Sequence, residues 1–333
     1  NTETSFASQW RATPFGVTLS RWITKRTSAQ IMSFGVSSHH RCGFLIKEKG
    51  GNHLKTTVLF LCCFLLNTHI VMIFYFSGTG NSKWIAEQIA RVQNETLVFM
   101  PNAIRDGIKE FVLADNEKVG FIFPVYSWGP PLAVLQFLDW VTLANYHSQY
   151  VYFVCSCGDD TGLTEKVFCR ALSRKGIECN AGFSVTMPNN YVLLPGFDVD
   201  KKELEKEKLE KAVGRVEEVN YSINARETGF HCNEGSFPWL KTKILNPLFN
   251  RFMTSAKPFY VTDDCIGCKR CERICPVGNV VVIGWRPVWG MDCTSCLACY
   301  HVCPKHAVQY GKRTRSKGQY LNPNVSISHE SAK

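Results

Sequence analysis

Two runs near the end of the chain, CIGCKRCERICP from Cys265 and CTSCLACYHVCP from Cys293, each hold four cysteines with two, two and three residues between them and close on proline. The second run repeats the first at an offset of 28, so that Cys265, Cys268, Cys271, Cys275 and Pro276 map onto Cys293, Cys296, Cys299, Cys303 and Pro304. A cubane iron-sulfur cluster needs four thiolates around its corners; a CxxCxxC turn supplies three of them and a distant cysteine the fourth. Structural zinc usually takes two CxxC knuckles separated by a spacer, so a third cysteine at the same short step leaves a ligand over. A disulfide framework would need neither the repeat nor its proline. The prolines end any helix at the crossing point, because they lack an N–H and fix φ. These spacings predict two 4Fe-4S clusters.

The runs resemble those of two-cluster ferredoxins, in which the fourth cysteine of each run ligates the other cluster. The resemblance implies that Cys265, Cys268, Cys271 and Cys303 hold one cluster, and Cys293, Cys296, Cys299 and Cys275 the other. This repeat, within residues 258–311, is far shorter than a chain of 333 residues, so a further domain is expected upstream.

The net charge of +10 would suit a nucleic-acid partner if it lay on one folded face. It does not. Residues 1–70 carry eight Lys or Arg against Glu3 and Glu48, and the stretch 310–333 carries five against Glu330. The sequence between is neutral overall, so no nucleic-acid partner is expected. Residues 1–70 show no sustained periodicity and read as an extension without a fold of its own; residues 312–333 read as a basic tail. The apolar run from Val58 to Phe76 resembles a signal anchor behind Lys47, Lys49 and Lys55. If Val71–Phe76 is instead a strand, what remains falls short of the roughly 20 residues that span hydrocarbon. Membrane insertion is therefore not expected. The eight cysteines outside the runs read as buried small hydrophobes of a reducing, cytoplasmic compartment rather than as disulfides.

From Val71 short apolar runs alternate with amphipathic stretches, the pattern of a parallel sheet covered on both faces. Strands are predicted at 72–76, 95–99, 118–123, 150–155 and 177–185, and helices at 82–92, 131–144 and 162–175. This is an α/β fold with a five-stranded doubly wound sheet, and such sheets bind ligands beyond the carboxyl ends of their strands. The first of those ends carries SGTGNS, Ser77 to Ser82. Gly78 and Gly80 permit a tight turn and close approach of an anion, while Ser77, Thr79, Asn81, Ser82 and the N–H groups of the helix start supply donors. Neither a P-loop nor GxGxxG is present. Two more strand ends follow. FPVYSWGPP offers Tyr126 and Trp128 beside Gly129 for stacking on a planar ring, and CSCGDDTG offers Gly158 and Asp159.

FYFSGTGNSKWIAEQIA, FPVYSWGPP and CSCGDDTG together resemble the flavodoxin fold, and the span from Met72 to Pro323 is similar to the flavodoxin-ferredoxin fusion proteins described as EFR-type ferredoxins. The resemblance implies FMN, with its phosphate on Ser77, Thr79, Asn81 and Ser82 and its ring near the loops of Trp128 and Gly158. It divides the chain into a flavodoxin-like domain at 71–200, a connecting helix and interdomain segment at 201–257, and the small α+β dicluster domain at 258–311. KKELEKEKLEKAVGRVEEV, from Lys201, reads as a solvated connector, with Glu203–Lys206 and Glu207–Lys211 spaced for helical ion pairs. MPNNYV, from Met187, is a polar break with no assigned role. Val277, Val280, Val281, Val282 and Ile283 are expected to form an apolar shell around the clusters. The function implied is transfer of single electrons between FMN, the two clusters and an unidentified redox partner protein. The alternative is an FMN-dependent oxidoreductase fed through the clusters, with Asp159 as the candidate proton donor.

Overall fold

A strand covered on both faces must be apolar along its whole length. Tyr150–Cys157 is buried at every position, and so is Met72–Tyr75. The computed structural model describes residues 29–32, 44–48, 56–59 and 72–326. Its central sheet contains β1 (Met72–Tyr75), β2 (Thr96–Phe99), β3 (Lys118–Pro124), β4 (Tyr150–Cys157), β5 (Ala181–Thr186) and β6 (Gly229–His231). The spatial order is β6-β5-β4-β3-β1-β2, with every pairing parallel. Apart from β6 this is the flavodoxin-like strand order, with its switch point between β1 and β3.

The sheet has six strands rather than the expected five. Gly229–His231 pairs with Ala181–Phe183 at the edge, and three residues are too few to show a strand period. Alternation along β1 and β3 sends Phe74, Phe121 and Phe123 to one face, where Phe137 of α3 (Leu132–Trp140) and Phe168 of α4 (Thr164–Ser173) meet them. Ile73, Tyr75 and Ile122 go to the other face, against Ile85 and Ile89 of α1 (Asn81–Gln93); the short α2 (Met100–Arg105) follows β2. The helix expected at 131–144 stops at Trp140, and Thr142–Ala144 instead pairs with Glu110–Val112.

The connecting helix also differs from expectation. α5 (Lys202–Asn224) does form the Glu207–Lys211 ion pair at 2.6 Å, while Lys206 pairs with Glu210. Its other face, Ala212, Val216, Val219 and Ile223, is buried in the same core as α1, so it is a covering helix of the sheet. The following segment forms a helix over residues 238–252 with a π turn at Lys241–Leu245. It buries Thr242 and Phe249 and leaves Trp239, Leu248 and Phe252 exposed, so it packs between the lobes through a few residues.

In the dicluster region Phe259–Val261 pairs antiparallel with Val308–Tyr310, and Val280–Ile283 forms a hairpin with Arg286–Trp289. The basic tail of the sequence reading is held down: Tyr320 and Asn322 are buried against the sheet domain. Within 1–70, the expected structureless extension, three short strands (Ala29–Met32, Phe44–Glu48, Thr56–Leu59) pair antiparallel. Runs of four or five residues are too short for a periodicity window to detect. Most of the apolar run from Val58, together with Cys42, Cys62 and Cys63, lies outside the described residues. Among the described residues no helix is long and apolar enough to cross a membrane.

Candidate functional site

The sequence repeat is also a backbone repeat. Left-handed φ values occur in pairs 28 residues apart at Gly267 and Ser295 (64° and 54°), Lys269 and Leu297 (59° and 59°), and Gly278 and His306 (65° and 50°). Each half carries a one-turn helix, Arg270–Arg273 or Ala298–His301, and each fourth cysteine accepts a main-chain N–H. Asn279 donates to Cys275 at 3.1 Å, and Ala307 to Cys303 at 3.2 Å. As a result Cys265, Cys268, Cys271 and Cys303 line one cavity, and Cys275, Cys293, Cys296 and Cys299 line another. These are the two sets that the resemblance implies.

The residues around the second set suit an electron-rich cluster. The Trp289 indole N–H and the Thr294 hydroxyl are buried without an ordinary hydrogen-bond partner. They face the sulfurs of Cys299 and Cys296 respectively, and both favour the thiolate form. Burial acts the other way, pushing Cys296 up to about 12 and Cys299 well above the usual thiol range. Iron would reverse that bias, because thiolate ligation is deprotonation. Among the described residues no group of three or more His, Cys, Asp or Glu is arranged to hold a single ion. The expected apolar shell is half realised. Val277 and Val280 line the second cavity and Val282 the first, but Val281 and Ile283, on the outer face of the same hairpin, are exposed.

The loop at the end of β1 is packed directly against the second set. A Cβ on Gly78 would stand 2.8 Å from the Cβ of Cys296 and 2.9 Å from its carbonyl oxygen, so a glycine is what lets the two lobes touch. Gly80, at φ 99°, turns the chain into α1, and its N–H donates to Ser77 Oγ. The N–H groups of Thr79, Asn81 and Ser82 have no partner among the described residues. Ser77, Gly78, Thr79, Asn81 and Ser82 line a cavity with Tyr126, Ser156, Gly158 and the segment Met187–Tyr191. It measures about 90 Å³. A second cavity of about 60 Å³ shares Tyr126, Asn190 and Tyr191 as walls and reaches Cys296.

The phosphate end of FMN fits the first cavity, with free main-chain donors at a helix start. The Tyr191 hydroxyl, buried and unpartnered, is a further donor on the shared wall. Pockets that enclose a drug-sized ligand run to roughly 300–1,000 Å³. A flavin ring therefore requires the two cavities to merge through movement of the shared walls.

Other expected contacts are placed elsewhere. Asn81 spends its carboxamide within the protein: Nδ2 donates to the Pro188 carbonyl at 3.1 Å, and Oδ1 accepts from Tyr320 (2.6 Å) and Asn322 (3.1 Å). Trp128 turns away from the cavity. Its carbonyl accepts from Thr242, and Lys241 Nζ sits 5.4 Å from its ring centroid. Gly129 packs on Asn246. Asp159 is exposed, its carboxylate 4.0 Å from Lys208 of the buried Lys208–Asp200 pair.

The residues that sequence reasoning missed lie in MPNNYV. Asn190 donates to Thr79 Oγ1 at 2.6 Å, and its carbonyl is 2.7 Å from Nε2 of His301, between the cluster cysteines Cys299 and Cys303. Nδ1 of His301 accepts from the Tyr320 N–H, so Nε2 carries the proton and donates to Asn190; burial lowers this imidazole to about 4 and keeps it neutral. One segment thus ties the loop, the dicluster region and the C-terminal residues together. Two asparagines after a strand were the available signal, but their partners are distant in sequence.

Comparison with known proteins supports part of this picture. Residues 264–308 match the family described as a 4Fe-4S dicluster domain. No curated protein matches the chain. Among solved structures, the Trp repressor binding protein from Bacillus subtilis is 14% identical, covering 45% of this chain and 94% of its own, with a TM-score of 0.30. Rubredoxin oxygen:oxidoreductase from Desulfovibrio gigas is 17% identical, covering 46% and 36%, at 0.30. An FMN-dependent NADH-azoreductase from Bacillus anthracis is 12% identical, covering 46% and 98%, at 0.29. Likenesses this weak add nothing to the strand order, which itself identifies the sheet.

Proposed function

We propose that this chain is an electron-transfer protein of the flavodoxin-ferredoxin fusion type, with two 4Fe-4S clusters on the two cysteine sets and FMN at the β1 loop. The observation that carries the reading is the contact between Gly78 and Cys296, which sets the flavin loop against a cluster ligand. FMN would supply exchange between two-electron and one-electron chemistry. The chain's own residues do the rest. The loop N–H groups bind an anion, Tyr126 and Tyr191 wall the space between loop and cysteines, and the Trp289 and Thr294 donors support negative charge on sulfur. A thiolate-rich protein whose described cysteines are all free suits the cytoplasm.

Anaerobically purified protein should carry about eight irons per chain and release FMN on heating. Four irons or fewer with zinc present would overturn the cluster assignment. A colourless supernatant from cluster-intact protein would reduce the sheet domain to a scaffold.

A second reading, reduction of a small molecule, is favoured by one observation. A groove of about 890 Å³ opens between Leu132, Phe249 and the loop from Gly290 to Thr294, beside Cys275 and Cys293. Asp159 does not line this groove. Saturable turnover of a small acceptor, lost when Leu132→Trp fills the groove, would establish it.

A further inference from the structure

The two cysteine sets have unlike surroundings. The second cavity is lined by Phe259, Val280, Trp289 and Leu297 and by no charged side chain. The first is lined by Ile266, Lys269, Arg270 and Lys305 beside its thiols. Arg273 adds a fourth cation, donating to the Cys268 carbonyl at 3.2 Å. All four are exposed, and none is paired with a carboxylate among the described residues. Of the nearby acids, Asp263 pairs with Arg286 at 3.0 Å, while Asp264, which accepts from Thr262, and Glu272, which accepts the Val282 N–H at 2.8 Å, are fewer than the four cations, so the face stays net positive.

An exposed aromatic side chain packs on the same cysteine turn, against Gly267 and Cys265. Trp285 lies in the two-residue turn of the hairpin at φ 70°, a conformation that bulky residues seldom adopt. Its indole packs on Gly267, where a Cβ would come within 2.6 Å of it, yet the residue is 77% exposed. Its carbonyl accepts from the Cys265 thiol at 3.8 Å. Ile266, 55% exposed, lies in the chain between Cys265 and Gly267, both of which Trp285 touches, and lines the first cavity. A strained, exposed tryptophan against a cluster ligand is not explained by core packing.

We infer that this face, where Trp285 and Ile266 flank the first cysteine turn beside Lys269, Arg270, Arg273 and Lys305, is the docking surface for an acidic redox protein. Interfaces place aromatic anchors at the centre and charge at the rim, and complementary charge sets partner choice and encounter rate. Here the rim is cationic, so the partner's is anionic. Exposed Trp285 and Ile266 beside the cations suit a protein interface better than a phosphate backbone. The inference rests on the proposed reading, since the docked partner would exchange electrons with the first cluster.

The test uses cluster-loaded protein and two probes, a flavodoxin of strong negative charge and a basic c-type cytochrome. Their affinities are measured by titration, and their electron-exchange rates by rapid mixing, at low and high salt. The acidic probe should bind, and charge reversal at Lys269, Arg270, Arg273 and Lys305 should weaken it by about tenfold or more at low salt. The difference should vanish by ~0.5 M salt. Trp285→Ala should weaken binding several-fold without altering either cluster's EPR signal. Should the fourfold variant fail to fold, Lys305→Gln and Arg273→Gln should each give a smaller loss.

Affinity for the acidic probe that ignores both salt and these substitutions would overturn the docking surface. So would tighter binding of the basic cytochrome, of anionic lipid vesicles or of an oligonucleotide through the same residues. Wild-type protein without EPR-active clusters would instead defeat the function proposed above, and the titration would still report on docking.

Discussion

The two four-cysteine sites are equal in sequence and unequal in place. Both arise from the same run, with the same pairs of left-handed residues and the same N–H bond to the fourth cysteine. One is then pressed against the loop of the sheet domain, with Cys296 touching Gly78 and with Trp289 and Thr294 directed at sulfur. The other opens beside four exposed cations and Trp285. A duplicated motif thus makes two sites with different neighbours, one facing inward to the Ser77–Ser82 loop and the other opening outward. What separates them is the packing around each site rather than its ligands.

The largest test of that contrast is loss of a ligand. Cys268→Ser should remove the first cluster and leave the second, lowering iron from about eight to about four per chain. Cys296→Ser should remove the second and loosen the sheet-domain contact as well, which thermal unfolding would register. Equal loss of both clusters from either variant would show that the sites are not independent.

Next comes Gly78→Ala, which places a methyl against the Cβ and carbonyl oxygen of Cys296. Overpacking of this kind costs roughly 1–3 kcal/mol, which lowers Tm by about 2–6 °C for a unit of this size. Flavin content and the second cluster's EPR signal should change while the first cluster's stays. An unaltered Tm would mean that the lobes are not in contact there.

The smallest effect concerns potential. Trp289→Phe keeps the aromatic bulk and removes a donor directed at Cys299. Donors to sulfur stabilise the reduced, more negative cluster. A hydrogen bond of ~1 kcal/mol corresponds to ~40 mV for one electron. The second cluster's midpoint should therefore fall by ~20–40 mV in an EPR-monitored titration, with the first unmoved. A shift in the first cluster would remove the distinction in donors.

Sequence legibility followed the range of the interaction. The cysteine runs and SGTGNS could be read because each packs its chemistry into about a dozen residues. The covering role of α5 was also legible, since Ala212, Val216, Val219 and Ile223 recur at helical spacing, but the surrounding charges suggested a solvated connector. Trp128 looked like a stacking residue by its place after a strand. Its loop is instead drawn away by Thr242 and Lys241, more than a hundred residues on. Asn190 and Tyr320 gave no local signal at all, because their partners, Thr79 and Asn81 in the SGTGNS loop and His301 in the second cysteine run, are distant in the chain.

The sequence by itself determined the chemistry: eight thiols in a proline-punctuated repeat, and a serine-rich loop after the first strand of a parallel sheet. Ligand spacing and turn formation are local, so the order of residues is enough to specify them. Only the tertiary structure decided which set of thiols meets the loop. It also brought Lys305 to the cavity lined by Lys269 and Arg270 of the local KRCER run, within a stretch of sequence that is neutral overall. Charge sums along a chain cannot show that clustering, because burial and proximity are properties of the folded surface alone.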